Sequence, residues 1–242
     1  ECTTNIINRL LKHSDGNVYA FCNRSVFKCS MNQTVETVFP DIAIPSPTYS
    51  VAQAPDKDIY IGTESNGLYI YSENWKLKKH VPIDGIIATI LPDNNGDIWL
   101  GLDETGICLF NKNKQTFTWL HKDNTNLNNN SIRTFVSYGD SSILVGTFRG
   151  LNILNKKELT ITPANINIAG KGGLSHYSIH SMLIDKDQTL WIGTYSAGVN
   201  YHSPFYRPVS YITPNEYAGI IGKGQQAVSY THLRAHETLA NL

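Results

Sequence analysis

The sequence predicts an all-β fold, a β-propeller fragment of about five blades, each of four antiparallel strands. Two observations predict it. One pattern recurs along the chain: a turn rich in Asp and Gly, an apolar strand ending in Gly, a tight turn, then Gly-apolar and a second strand. It reads DKDIYIGTESNGLYIY at 56–71, DNNGDIWLGLDETGICLF at 93–110, DSSILVGTFRGLNIL at 140–154 and DKDQTLWIGTYSAGVNY at 185–201, with a weaker copy, DGNVYAFCNRSVFKC, from Asp15. The strand-ending glycines Gly62, Gly101, Gly146 and Gly193 are 39, 45 and 47 residues apart, the length of one propeller blade.

Each element follows from its residues. Asp56, Asp93, Asp140 and Asp185 stand where a turn precedes a strand, and an Asp side chain can bond the backbone there. Ile98-Trp99-Leu100 and Leu190-Trp191-Ile192 are apolar throughout, so both strand faces are expected to be covered by neighbouring blades. Trp99 and Trp191 should wedge between blades, with Tyr60 and Leu144 in the same slot of the other copies. Ile61, Leu100, Val145 and Ile192 are further expected core residues. Gly67, Gly106, Gly150 and Gly198 are placed to supply positive φ or a close backbone approach at the hairpin turns. Strands are expected upstream of each copy at Tyr49–Ala54, Ile86–Leu91, Ile132–Ser137 and Ile179–Ile184. Downstream strands are expected at Lys76–Val81, Thr116–Leu120, Thr160–Ala164 and Arg207–Ile212. The blades then lie near 12–40, 41–82, 83–121, 129–165 and 176–213. Asn124–Ser131 and Ile168–Ser175 read as loops. A helical period persists over no useful length before residue 225.

Composition agrees with strands and turns. Charged residues are 17% and apolar residues 41% of the 242 residues, and the formal net charge is zero. A nucleic-acid binder needs a basic footprint that this chain lacks, and no apolar run approaches the roughly 20 residues of a membrane helix. The start, Glu1-Cys2-Thr3-Thr4, has neither an initiator Met nor the basic and apolar regions of a secretory leader, so the true start is expected to lie upstream. Cys22 and Cys29 could face each other across a hairpin. With Cys2 and Cys108 they match no zinc spacing and read as small buried hydrophobes.

Residues Val228–Thr238, VSYTHLRAHET, break the repeat where a new blade should begin. The string is similar to one reading frame of a transposase-type sequencing adapter. Residues 227–242 are therefore expected to be a non-native tail, with native propeller over 1–226. On this reading His232 and His236 form no metal site.

The pattern Asp-x-x-Gly-x-(Ile/Leu)-Trp-(Ile/Leu)-Gly-Thr followed by Gly-(Leu/Val)-x-x-(Tyr/Phe) resembles the two-component regulator propeller repeat. Residues 93–110 and 185–201 match best, then 56–71, with 140–154 more degenerate, and Ser203-Pro204-Phe205 resembles the join between successive blades. The resemblance implies seven-bladed rings in the periplasmic sensor half of hybrid two-component receptors, homodimeric proteins that bind oligosaccharides. It implies a membrane span and a histidine kinase module beyond this chain, with no enzyme activity in the fragment itself.

No nucleophile elbow, zincin motif, Walker loop or dinucleotide fingerprint occurs, so no catalytic residue, cofactor or metal is expected. His176 and His180 share one strand face but stand far apart for a shared ligand. Binding is more natural where equivalent turns converge on one face. Those turns carry Glu64, Asp103, Arg149 and Tyr195, where Arg149 and Tyr195 suit a sugar through hydrogen bonds and a stacking face. Two other readings stay open. A propeller enzyme, lyase or glycosidase-like, should place a titratable base in the central channel. A protein-interaction scaffold should show a large apolar patch.

Overall fold

The computed structural model describes residues 7–22, 25–30, 35–37, 46–164 and 173–203. These residues form five antiparallel sheets in chain order. Blade one holds β1 (Ile7–Lys12), β2 (Val18–Cys22), β3 (Val26–Cys29) and β4 (Val35–Thr37). Blade two holds β5 (Thr48–Gln53), β6 (Ile59–Thr63), β7 (Leu68–Tyr71) and β8 (Leu77–Val81). Blade three holds β9 (Ile87–Pro92), β10 (Asp97–Leu102), β11 (Gly106–Asn111) and β12 (Thr116–Leu120). Blade four holds β13 (Ile132–Tyr138), β14 (Ser142–Thr147), β15 (Gly150–Asn155) and β16 (Ile161–Pro163). Blade five shows β17 (Ile179–Ile184), β18 (Leu190–Thr194) and β19 (Val199–His202). The strand expected at Arg207–Ile212 and the tail at 227–242 lie outside the described residues.

Every sheet is a meander in which consecutive strands pair, and the first strands of successive blades neighbour one another. The fold is thus a five-bladed propeller arc with β1, β5, β9, β13 and β17 innermost. Its core lies between blades. Blade two gives Tyr60, Leu68 and Ile70 to a cluster with Ile87, Ile98, Leu100 and Phe110 of blade three. Trp99 joins Ile132, Phe135, Ile143 and Val145 of blade four, and Leu144 and Leu151 join Ile179 and Ile192 of blade five. Burying each such side chain stabilises by about 1.5–3 kcal/mol, so each blade depends on the next.

Gly101 explains why the second strand ends in glycine. A Cβ there would lie 2.5 Å from Ile132 Cγ2 of the next blade and 2.6 Å from Thr89 Cγ2. The same crowding by Ile87 and Ile179 holds at Gly62 and Gly146. Register places Phe21 at this position in blade one, opposite Arg9 as Gly62 is opposite Ser50. Phe21 is fully buried, and the next blade there offers Thr48 where the others offer Ile. At the hairpin turn, Gly67 has φ 77° and a Cβ would meet Val81 O at 2.3 Å. Gly106, Gly150 and Gly198 share the positive φ.

Three expectations need correction. Trp191 is 41% exposed, where Trp99 is 1% exposed and Tyr60 is fully buried. It sits in the slot that the next blade covers elsewhere, and among the described residues no following blade lies over it. Val26 is buried with Tyr19, Phe21 and Ile59, because blade two covers that face of blade one, and Phe27 is partly buried. Cys22 and Cys29 form no disulfide with each other. Cys29 pairs with Val18 and Cys22 with Ile7, at opposite ends of β2, so the hairpin holds them apart. Asp56 is not the counterpart of Asp93. The turn bonds Ala54 N to Asp58 O and Asp93 N to Asp97 O make Ala54 the equivalent residue.

Candidate functional site at the turn-bearing face

One end of the inner strands is built alike in blades two to five. The first residue after the second strand donates its backbone N–H to the carbonyl just before the first strand. Glu64 bonds Pro47, Asp103 bonds Ile86, Phe148 bonds Ser131 and Tyr195 bonds Ser178, each at 3.0 Å. This bond folds the turn over the start of the inner strand. Three sequence-predicted residues, Glu64, Asp103 and Tyr195, therefore occupy equivalent places on one face. Arg149 stands one residue beyond its blade's equivalent, Phe148. Its backbone is fixed by Thr147 Oγ1, which accepts from Arg149 N at 3.0 Å, and by Asn128 Nδ2, which donates to Arg149 O at 3.1 Å. Glu64, Arg149 and Tyr195 are exposed, and Asp103 is partly buried.

The sequence reading missed residues on the inner strands. Each first strand carries a β-bulge at one register position. The extra residues are Asn8, Tyr49, Ala88, Arg133 and His180. A bulge re-aims the side chain it carries, and here it brings side chains to the turns. Arg133 Nη1 lies 3.5 Å from Asp103 Oδ2 of the preceding blade, and its guanidinium stands 5.9 Å from the Phe148 ring centroid. Asp103 Oδ1 is buried without a hydrogen-bond partner among the described residues. Between blades one and two, Asn8, Arg9, Tyr49 and Glu64 line an open cleft of about 420 Å³ together with Ile7, Pro47 and Thr48. Strict two-residue alternation hides a bulge. The signal that could have found these positions is the triplets Thr48-Tyr49-Ser50, Ile87-Ala88-Thr89, Ile132-Arg133-Thr134 and Ile179-His180-Ser181, β-branched first and Ser or Thr last, whose middle residue changes most in character.

This face can offer donors from Arg133 and Asn8, acceptors from Asp103 and Glu64, and ring faces from Tyr49, Phe148 and Tyr195. Among the described residues no three His, Cys, Asp or Glu side chains cluster to hold a metal. The opposite rim is different, a set of ion-pair latches between blades. Lys112 of blade three reaches back to Asp56 at 2.5 Å and to Asp58 at 2.6 Å, and Lys156 of blade four reaches Asp93 at 3.2 Å. Burial alone would raise the Asp56 carboxyl, but hydrogen bonds from Lys112 and from the Asp58 backbone hold it below the usual carboxylate range. Burial would lower Lys112, and its bonds to Asp56 and Asp58 raise it above the usual lysine value.

Residues 173–196 match the family model described as two component regulator propeller. No curated protein matches the chain. The fold is similar to the extracellular domain of the putative hybrid two component system BT3049 from B. thetaiotaomicron, at TM-score 0.65 and 24% identity over 82% of this chain and 27% of that one. It is similar to the extracellular domain of the putative hybrid two component system BT4673 from the same organism, at TM-score 0.66 and 18% identity over 84% and 28%. PorZ, a bacterial surface component of the type-IX secretion system of Porphyromonas gingivalis, matches at TM-score 0.61 and 18% identity over 83% and 33%. The chain thus spans about a third or less of these structures. Residues 173–196 of blade five match the two-component regulator propeller repeat, and the described blades have the fold found in extracellular domains of Bacteroides two-component systems.

Proposed function

We propose that the chain is the ligand-sensing, extracytoplasmic propeller of a hybrid two-component receptor and that it recognises an oligosaccharide on the turn-bearing face. On this proposal the arc belongs to a seven-bladed ring in the periplasm, in a homodimeric receptor whose kinase module lies elsewhere. The observation that carries the ligand class is Asp103, a buried acceptor oxygen beside a paired Arg133 and the Phe148 ring. Hydroxyl-rich ligands supply the donor such an oxygen requires when buried, and their apolar faces stack on rings. The matched repeat and the similar extracellular domains support a sensing role over an enzymatic one. Leu183, Trp191 and Tyr201, exposed on blade five, share the sheet face that holds the between-blade slot rather than the turn-bearing face, so they do not favour a scaffold. The test is isothermal titration of the purified chain with gluco-, manno-, xylo- and galacto-oligosaccharides, alongside a matched Asp103→Asn variant. Saturable binding that the variant weakens by about tenfold, or 1.4 kcal/mol, is expected. Binding by the variant at full strength would remove Asp103 from the site, and no binding to any oligosaccharide would overturn the ligand class.

A further inference from the structure

The five inner strands invite comparison with one another, because register fixes which residues are equivalent. Before the bulge stand Thr48, Ile87, Ile132 and Ile179 in blades two to five, all buried at 3% exposure or less. After the bulge stand Ser50, Thr89, Thr134 and Ser181, each opposite the strand-ending glycine. Both places have fixed structural work. In the first, Ile87, Ile132 and Ile179 fill the space beside the preceding blade's glycine, and Ser50 Oγ of the second donates to Ile87 O of the next blade at 2.6 Å. Between them, the bulge residue changes from Asn8 to Tyr49, Ala88, Arg133 and His180.

From blade two to blade five the flanking positions keep one packing role, while the bulge position changes in size and charge and so is held to none. It is also where the chain turns a side chain toward the turns. Tyr49 and Asn8 line the cleft with Glu64, and Arg133 contacts Asp103 and Phe148. Tyr49 is 37% exposed and His180 is exposed, and the small, buried Ala88 stands between Tyr49 and Arg133 in the series.

We infer that the bulge residues are the specificity-determining set of the sensor, with Tyr49 as a stacking platform and Arg133 and His180 as hydrogen-bonding groups for successive units of a neutral oligosaccharide. This rests on the oligosaccharide reading above. Neutral sugar is favoured over acidic sugar because Arg133 is already paired with Asp103 and Glu64 stands in the cleft with Arg9. The turn residues then frame the site, and the bulges select what enters it.

The test is a printed array of neutral oligosaccharides and of heparin and chondroitin fragments, probed with the whole chain and with Tyr49→Ala, Arg133→Ala, His180→Ala and Ala88→Tyr. Tyr49→Phe and Arg133→Lys serve as conservative partners, and far-UV circular dichroism with a thermal melt checks that each variant folds. The expected result is that the whole chain binds a narrow group of neutral sugars. Each alanine variant should lose or reorder that group with an unchanged melt, Tyr49→Phe should retain it, and Ala88→Tyr should exclude the longest members. Alanine variants that bind the same sugars in the same order would overturn the bulge assignment and leave the oligosaccharide reading standing. Binding confined to the acidic fragments would overturn the neutral class, and binding to no sugar would overturn both.

Discussion

Trp99 and Trp191 occupy the same place in the same motif, yet one is 1% exposed and the other 41%. Trp99 is paired with Leu91 and Leu109 and covered by Ile132, Phe135 and Val145 of blade four. Trp191 is paired with Leu183 and Tyr201, which are 61% and 57% exposed. Its indole is held instead at its polar edge, where Nε1 donates to Asp185 Oδ2 at 2.8 Å. That bond and two backbone donors keep the Asp185 carboxyl below its ordinary range. The motif therefore sets the position and direction of the ring, while the next copy supplies its burial. Local sequence and hydrophobic stabilisation are separate contributions in a stacked repeat.

The largest expected effect tests this separation. Trp99→Ala should destabilise the chain by about 3–5 kcal/mol, as large-to-small changes in packed cores do. Trp191→Ala should cost about 1 kcal/mol or less. Urea denaturation of both variants checks it, and equal losses would mean that blade five is covered as blade three is. Gly101→Ala should cost about 1–3 kcal/mol through the collision with Ile132, partly restored by adding Ile132→Ala. Gly193→Ala should cost under about 1 kcal/mol when combined with Ser181→Ala, because only the Ser181 side chain crowds that site closely.

A smaller effect concerns the latched rim. Lys112→Met leaves Asp58, whose side chain is 3% exposed, with Lys78 alone, and should cost about 1–2 kcal/mol. Lys186→Met, on the exposed turn of blade five, should stay within about 0.5 kcal/mol. The pH dependence has two sides. Asp56 has a folded pKa below its unfolded one, so its contribution is present above about pH 4 and is lost as the pH falls. Lys112 has a folded pKa above its unfolded one, so its contribution is complete below about pH 10 and is lost as the pH rises further. Thermal melts across pH should show both losses reduced in Lys112→Met.

Much of the fold was legible because its signals are local and repeated. Glycine spacing located the blades, and the expected strands at Thr116–Leu120 and Ile179–Ile184 match the observed ends. Burial of Trp191 was not legible, because a strand cannot report whether another copy follows it in space. The site was half legible. Glu64, Asp103 and Tyr195 follow from the turn pattern, whereas Arg133 and Tyr49 depend on bulges that shift the register by one residue. The Asp103–Arg133 pair joins two blades that no local pattern connects.

The most direct test of the sensing account is hydrogen exchange of the whole chain with and without the best-binding oligosaccharide. Binding at the turn-bearing face predicts slower exchange at 47–49, 64–66, 103–105, 131–133, 148–150 and 178–180. It predicts no change at the opposite turns, 14–17, 55–58, 94–97 and 186–189. Protection confined to those opposite turns would contradict the account.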